Sequence, residues 1–270
     1  MKSTDIAYLG SATFSALGNA LTAVVFPVLV LATTGSVISA GVVALTTGLP
    51  QFVAAAVGGV LLDRLNRRTI AITGDVISAL AVAALPIIDA TLGLTTGWFM
   101  AFGVLSAVGD VPAMTAREAL VPALNQITGT PKETLIGARE GLSSLGMIAG
   151  PALAAALVLH TTPAATLWVT AATSALAALC MLTLPAKACL PAVATPAKNN
   201  KVWNQFADGV RYLTVENPTL RTATLVGLAV AAAVGVIQGI VLPFHFTLSG
   251  QAGRTGITLG VMALGTILGT

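Results

Sequence analysis

Charge is scarce in this sequence. Charged residues make up 9% of the 270 positions, where an ordinary soluble domain carries roughly 25%. A soluble fold of this size could not cover its surface with so few charges, because most charged side chains must sit outside. The same scarcity, beside 56% hydrophobic residues, excludes a disordered chain, which is poor in apolar residues and rich in charge. Cysteine and histidine number two each. Cys180 falls inside an apolar run and Cys189 just beyond it, so no structural disulfide is expected. Neither cysteine stands at metal-ligand spacing from a histidine, and His160 and His245 read as surface residues. Paired histidines, a phosphate-cradling loop and a Ser–His–Asp set at one membrane depth are all missing, so no enzyme and no cofactor is expected. A cleavable signal peptide is not expected either, since the first apolar stretch outruns a signal core and another follows at once. What is abundant is apolar length. With a mean hydropathy of +0.91, the chain reads as an integral membrane protein.

A bilayer core of about 30 Å needs roughly 20 apolar residues in helical form. That ruler predicts spans at Ile6–Leu31, Val37–Leu62, Thr69–Ile88, Thr96–Ala116, Gly141–Leu159, Ala164–Leu184 and Thr222–Phe246. An eighth begins near Gly256 and is still apolar at Thr270. With the N-terminus in the cytoplasm, twelve of the 13 lysines and arginines fall on the inner side, and Arg254 alone falls outside. Such an asymmetry sets orientation by the positive-inside rule. The turns Ala32–Ser36 and His160–Pro163 are short, so the spans they join are antiparallel hairpins. Residues 185–221 are polar and punctuated by Pro185, Pro191 and Pro196, and read as a cytoplasmic linker. Within it Trp203, Phe206, Val210 and Leu213 share one face of a predicted amphipathic helix, lying on the inner membrane surface or on a partner. The predicted domains are therefore a six-helix bundle at 1–184, the linker at 185–221 and the first helices of a second bundle at 222–270. Faint internal similarity, Ala16-Leu17-Gly18 with Pro27 against Ala233-Val234-Gly235 with Pro243, points to a repeated six-helix unit.

The turn between the second and third spans is the most informative stretch. It reads Gly59-Val60-Leu61-Leu62-Asp63-Arg64-Leu65-Asn66-Arg67-Arg68. Glycine lets a neighbouring helix approach closely, and a carboxylate among three guanidiniums stays ionised and makes strong pairs. This pattern resembles the Gly-x-x-x-Asp-Arg-x-Gly-Arg-Arg signature of the major facilitator superfamily, matching at Gly59, Asp63, Arg64, Arg67 and Arg68. It departs at Asn66, where asparagine is expected to take the left-handed turn conformation otherwise suited to glycine. The resemblance implies that Asp63 and the arginines help latch two bundle halves together in the outward-facing state. In the fifth span Gly141 and Gly150-Pro151 resemble the family's antiporter motif, with Gly146 adding a second small step. Ala154 and Ala155 stand where that motif has glycines. Small residues build a flat packing face, and Pro151 weakens the helix by removing a hydrogen bond. In the family this motif marks exporters more than importers. Thr34-Gly35-Ser36, Leu49-Pro50, Gly74-Asp75 and Leu120-Val121-Pro122 resemble the exporter branch that contains macrolide and siderophore efflux proteins. The fold so implied is an all-α major facilitator bundle, one six-helix half plus the start of the other, resembling the first two-thirds of a twelve-helix member.

Ionisable residues inside spans are functional candidates by default. Asp75 lies seven residues after Arg68 and Asp110 seven before Arg117, which puts each about 10 Å inside the cytoplasmic edge. If both faced one cavity they would form a proton site. If they paired with Arg64, Arg67, Arg68, Arg117 or Arg139 they would be gate or structural ion pairs, and this second reading is preferred. Arg117 is placed at the cytoplasmic end of the fourth span. Glu118 and Glu140 stand beside Arg117 and Arg139, where salt bridges or solvated pairs are expected. The first span has no acid in Ile6–Leu31, and its polar residues are Ser15, Asn19 and Thr22. Asn19, with Gln238 in the seventh span, is a candidate for lining a substrate path, against the alternative of a helix–helix contact. The function so implied is secondary active export of small amphipathic compounds by alternating access. Protons are a candidate coupling ion, and an uptake carrier or a membrane scaffold are the alternatives. The expected setting is a bacterial cytoplasmic membrane and a monomer, with no nucleic-acid partner. The apolar spans favour hydrophobic or weakly polar cargo.

Overall fold

In a computed structural model the described residues are 2–185, 210–237 and 258. The chain divides into two compact units with the boundary at residues 195 and 196. The first unit carries six long helices: α1 Ser3–Thr34, α2 Val37–Arg64, α3 Arg67–Thr91, α4 Thr96–Thr128, α5 Lys132–His160 and α6 Pro163–Leu182. In the second, a π-helical turn at Tyr212–Glu216 leads through Asn217, whose side chain caps the next helix, into α7 Pro218–Val236. No strand occurs among the described residues.

Each predicted span in the first unit lies within one of these helices or overlaps it, because an apolar run long enough to cross a bilayer can satisfy its backbone only by coiling. By length and apolar composition, Ser3–Thr34, Arg67–Thr91, Thr96–Thr128 and Ala165–Leu182 are each sufficient to cross a membrane. Proline sits inside α1, α2, α3, α4 and α5, and each of these helices runs through it. The two expected hairpin turns are as short as predicted, with α1 closing on Gly35 at φ 66° and α6 opening on Thr162, whose side chain accepts from Ala165 N. The rest of the seventh span, and the eighth span apart from residue 258, lie outside the described residues. So do Trp203 and Phe206 of the expected amphipathic helix.

Within the first unit α4 packs on α2 and α3, α6 packs on α3 and α1, and α5 packs on α1. Two apolar clusters hold the bundle. One gathers Tyr8, Leu62, Ile70, Leu120, Leu135 and Met181, and the other gathers Leu21, Phe26, Val43, Leu85, Phe99 and Leu167. Along α1, α3 and α4 the residues between those clusters are polar: Ser11 and Ser15, Asp75 and Ser78, Ser106 and Asp110. The bundle is thus apolar at both ends with a polar layer between. Leu45, Leu80, Met147 and Leu179 point away from both clusters and are largely exposed, as a lipid-facing surface requires.

Candidate functional site

The polar layer is organised by a close helix crossing. A Cβ placed on Gly74 of α3 would run into the backbone oxygen of Gly109 on α4. One placed on Gly109 would lie 2.6 Å from the oxygen of Gly74. Only glycine at both positions lets the two backbones meet so closely, and each glycine is followed directly by an aspartate. The crossing therefore fixes Asp75 and Asp110 at one level on neighbouring helices.

Asp75 is closed off. It is 1% exposed and paired with Arg117, itself 3% exposed, by a hydrogen-bonded ion pair between α3 and α4. Arg117 spreads its other donors onto α1, with Nε to Ser11 Oγ at 3.1 Å and Nη1 to Ser15 Oγ at 3.2 Å. The Tyr8 hydroxyl donates to the Arg117 carbonyl at 3.2 Å. One guanidinium thus ties three helices. This corrects the placement of Arg117 at the end of its helix, because α4 runs on to Thr128 and the side chain is buried in the bundle. A hydropathy ruler stops at the first arginine, but this arginine is neutralised by a carboxylate from another helix.

Asp110 is different. Its Oδ2 accepts from Ser106 Oγ at 3.1 Å, and Ser106 in turn pairs with Ser78 at 2.8 Å across the α3–α4 contact. Among the described residues no basic side chain lies within ion-pair reach of it. Instead Asp110 lines a cavity of about 420 Å³ walled by α1, α2 and α4. Asn19, Thr22, Thr47, Gln51 and Ser106 bring polar atoms to that wall, and Phe26, Pro27, Val43, Val111 and Met114 make its apolar part. Asn19 thus stands beside Asp110 in one cavity, whereas Gln238 lies outside the described residues.

The signature turn resolves in part. Arg67 Nη1 donates to the Ala119 carbonyl of α4 at 2.8 Å. Arg68 donates to the Met181 and Leu182 carbonyls at 3.2 and 2.6 Å, in the last turn of α6. Those carbonyls are among the acceptors a helix end leaves open, and a cation there also suits the helix dipole. Asn66 corrects an expectation. Its φ of −65° is not left-handed, and its side chain accepts from Arg68 N at 2.9 Å as the N-cap of α3. Asparagine is chosen here as a cap and not as a stand-in for glycine. Gly59, Asp63 and Arg64 lie in the last turns of α2.

On α5, Gly150 and Gly146 face α1. A Cβ on Gly150 would press into Ala20, and one on Gly146 would touch Leu17 N at 3.5 Å and Ala16 Cβ at 3.6 Å. Gly141 meets nothing within 4 Å, and Pro151 is exposed. Gly146 and Gly150 thus pack on α1, and Ala154, where the motif has glycine, is buried in the second apolar cluster. Nearby, Arg139 of α5 pairs with Glu118 of α4 at 3.2 Å and with its neighbour Glu140. Ser11, Ser78 and Ser106 escaped the sequence reading, since a serine in an apolar helix shows no partner. The signal that could have found them is the pair of Gly-Asp dipeptides, which marks where α3 and α4 meet. Asp5 was also missed: buried at the start of α1, it accepts from Lys2 N at 2.9 Å and from Thr130 Oγ1 at 2.8 Å.

Comparison with known proteins gives this geometry its context. The chain is 29% identical over 258 residues to a protein named multidrug efflux pump Tap from Mycolicibacterium fortuitum, covering 93% of this chain and 62% of that protein. Proteins of the same name from Mycobacterium bovis and Mycobacterium tuberculosis are also 29% identical over 258 residues, covering 94% of this chain and 61% of each. The chain spans about three-fifths of the length of the curated relatives it matches. The model of one family, the Major Facilitator Superfamily, matches residues 8–270, and it is to this family that the chain belongs.

Proposed function

We propose that this chain supplies the substrate-facing helices of a secondary active exporter that moves small amphipathic compounds out of the cell by alternating access. The observation that carries the reading is the cavity of about 420 Å³ between α1, α2 and α4, which combines an apolar wall with a few convergent polar groups. Binding sites for small organic molecules have this composition, and volumes of roughly 300–1,000 Å³. The relatives named as multidrug efflux pumps support a transporter over an enzyme, and export over uptake. The tight α1–α5 packing at Gly146 and Gly150 supports the same direction, since it joins a cavity-lining helix to the helix that carries the exporter-type motif.

In the proposed cycle, substrate sits between two bundle halves near mid-membrane, and the halves rock about it. Asn19 and Gln238 contribute polar contacts to the path. Asp63 and Arg64 latch the halves, while Arg67 and Arg68 brace the turn that presents them through their bonds to α4 and α6. The proton gradient supplies the energy. The setting is a bacterial cytoplasmic membrane with the N-terminus inside, and the working form is a monomer.

The test uses everted membrane vesicles from cells expressing the protein from its natural reading frame. An exporter accumulates a fluorescent amphipathic dye inside them when respiration builds a proton gradient, and nigericin abolishes the accumulation. Depletion of preloaded dye identifies an uptake carrier and overturns the direction. Dye movement equal to that of vesicles without the protein overturns transport altogether.

A further inference from the structure

The cavity holds an electrostatic imbalance. Among the described residues its wall contains one carboxylate, Asp110, and no lysine, arginine or histidine. The nearest arginine along the same helix, Arg117, is engaged by Asp75, Ser11 and Ser15. Asp110 itself receives a hydroxyl donor from Ser106, which satisfies an oxygen but brings no opposite charge. A carboxylate removed from bulk water without a counter-ion is costly, and the cost is relieved by a cation delivered to it. The rest of the wall indicates what such a cation would carry. Phe26 offers an aromatic ring, a surface that attracts organic cations. Val43 and Met114 offer apolar area, while Asn19 and Gln51 accept or donate hydrogen bonds.

We propose that Asp110 is the counter-ion for a positively charged group of the substrate, so that the cavity selects amphipathic organic monocations over neutral or anionic compounds of the same shape. The proposal rests on the transport reading and narrows it, replacing hydrophobic or weakly polar cargo with cargo of a single positive charge. Asp75 does not share this role. It is sealed by Arg117, is absent from the cavity wall and would have to break an ion pair to meet a ligand. Two sources could supply a cation to Asp110, the substrate or a proton, and the experiment separates them.

The probes are tetraphenylphosphonium and tetraphenylborate, a cation and an anion of nearly one shape, neither of which carries a titratable proton. Binding is measured on the purified full-length protein in lipid nanodiscs, for the native protein, Asp110→Asn and Asp110→Glu. The native protein is expected to bind the cation at least about tenfold more tightly than the anion, the order of effect of a desolvated charge pair. Asp110→Asn should bring the two affinities within about threefold of each other, and Asp110→Glu should restore the preference for the cation. Retained anion binding by Asp110→Asn shows that the variant is folded.

Equal affinities for the two ions in the native protein overturn the proposal without recourse to any variant. It is also overturned if Asp110→Asn keeps full cation preference in binding yet loses gradient-driven transport of both cationic and neutral dyes, because the cation held is then the proton. Binding in nanodiscs needs no transport. Charge-selective binding without vesicle export would sink the exporter reading and leave this one standing, and export without charge selectivity would do the reverse.

Discussion

Gly74-Asp75 on α3 and Gly109-Asp110 on α4 are the same dipeptide at the same level of one bundle, with their backbones touching. Their environments are opposite. Asp75 is buried against Arg117 and stitched through it to α1, while Asp110 turns to a cavity and accepts a hydrogen bond from Ser106. The difference teaches that depth in a membrane helix does not decide what an acid does. The partner decides. One aspartate closes the bundle by satisfying an arginine, and the other lines a cavity.

That comparison can be broken most forcefully at the ion pair. Asp75→Asn leaves Arg117 charged and buried without its carboxylate, and should destabilise the protein by about 3–5 kcal/mol in detergent-solubilised unfolding measurements. Replacing both partners with apolar residues of similar volume, Asp75→Leu with Arg117→Met, should recover most of the loss, because no unpaired charge then remains. An unfolding midpoint for Asp75→Asn equal to that of the native protein would erase the distinction drawn between the two acids.

Next in size is the crossing that sets the two acids level. Gly109→Ala adds a methyl where the Gly74 carbonyl stands and Ile77 Cβ lies 3.3 Å away, so a cost of about 1–3 kcal/mol is expected from overpacking. Gly141→Ala on α5 is the matched control. It meets nothing within 4 Å and should be neutral or stabilising by up to about 1 kcal/mol through helix propensity. Equal effects at the two positions would mean that the backbones are not in contact. Ser106→Ala should cost about 1 kcal/mol, because Ser78 and Asp110 each lose a hydrogen-bond partner. Smallest of all is Asp110→Asn, expected to leave stability unchanged or raise it by up to about 1 kcal/mol, since an amide oxygen still accepts from Ser106 and a charge without a counter-ion is removed. A loss there as large as that of Asp75→Asn would show that both acids are structural.

The helices of the first unit were legible because apolar length and the lack of any other way to satisfy the backbone leave little choice. Their ends were not. The fourth span was expected to stop at Ala116 and α4 reaches Thr128; the fifth was expected to start at Gly141 and α5 begins at Lys132. In both cases the ruler measured the apolar run, and the helix continues beyond it through Arg117, buried in an ion pair, or Arg139, which bridges to Glu118 and Glu140. The cavity was legible only in outline. Asn19 and Asp110 stood out as polar residues in apolar spans, but nothing in a one-dimensional pattern says that they share a wall. The asymmetry between the two acids was beyond reach for the same reason. It depends on which of them Arg117 faces, a matter of helix rotation set by the glycine contact.

The bonds of Arg68 to two successive carbonyls of α6 separate two meanings that a basic residue carries. Any process that orients a nascent chain by its tally of positive charge would accept lysine at this position as an equal substitute. A helix terminus would not, because an ammonium on a flexible stem cannot hold two neighbouring acceptors as a flat, forked guanidinium does. A positive-inside orientation would constrain the side chain by its charge during insertion, while its bonds to α6 constrain it by its shape. Interchanging lysine and arginine along this turn is a way to tell apart faults of topogenesis from faults of assembly.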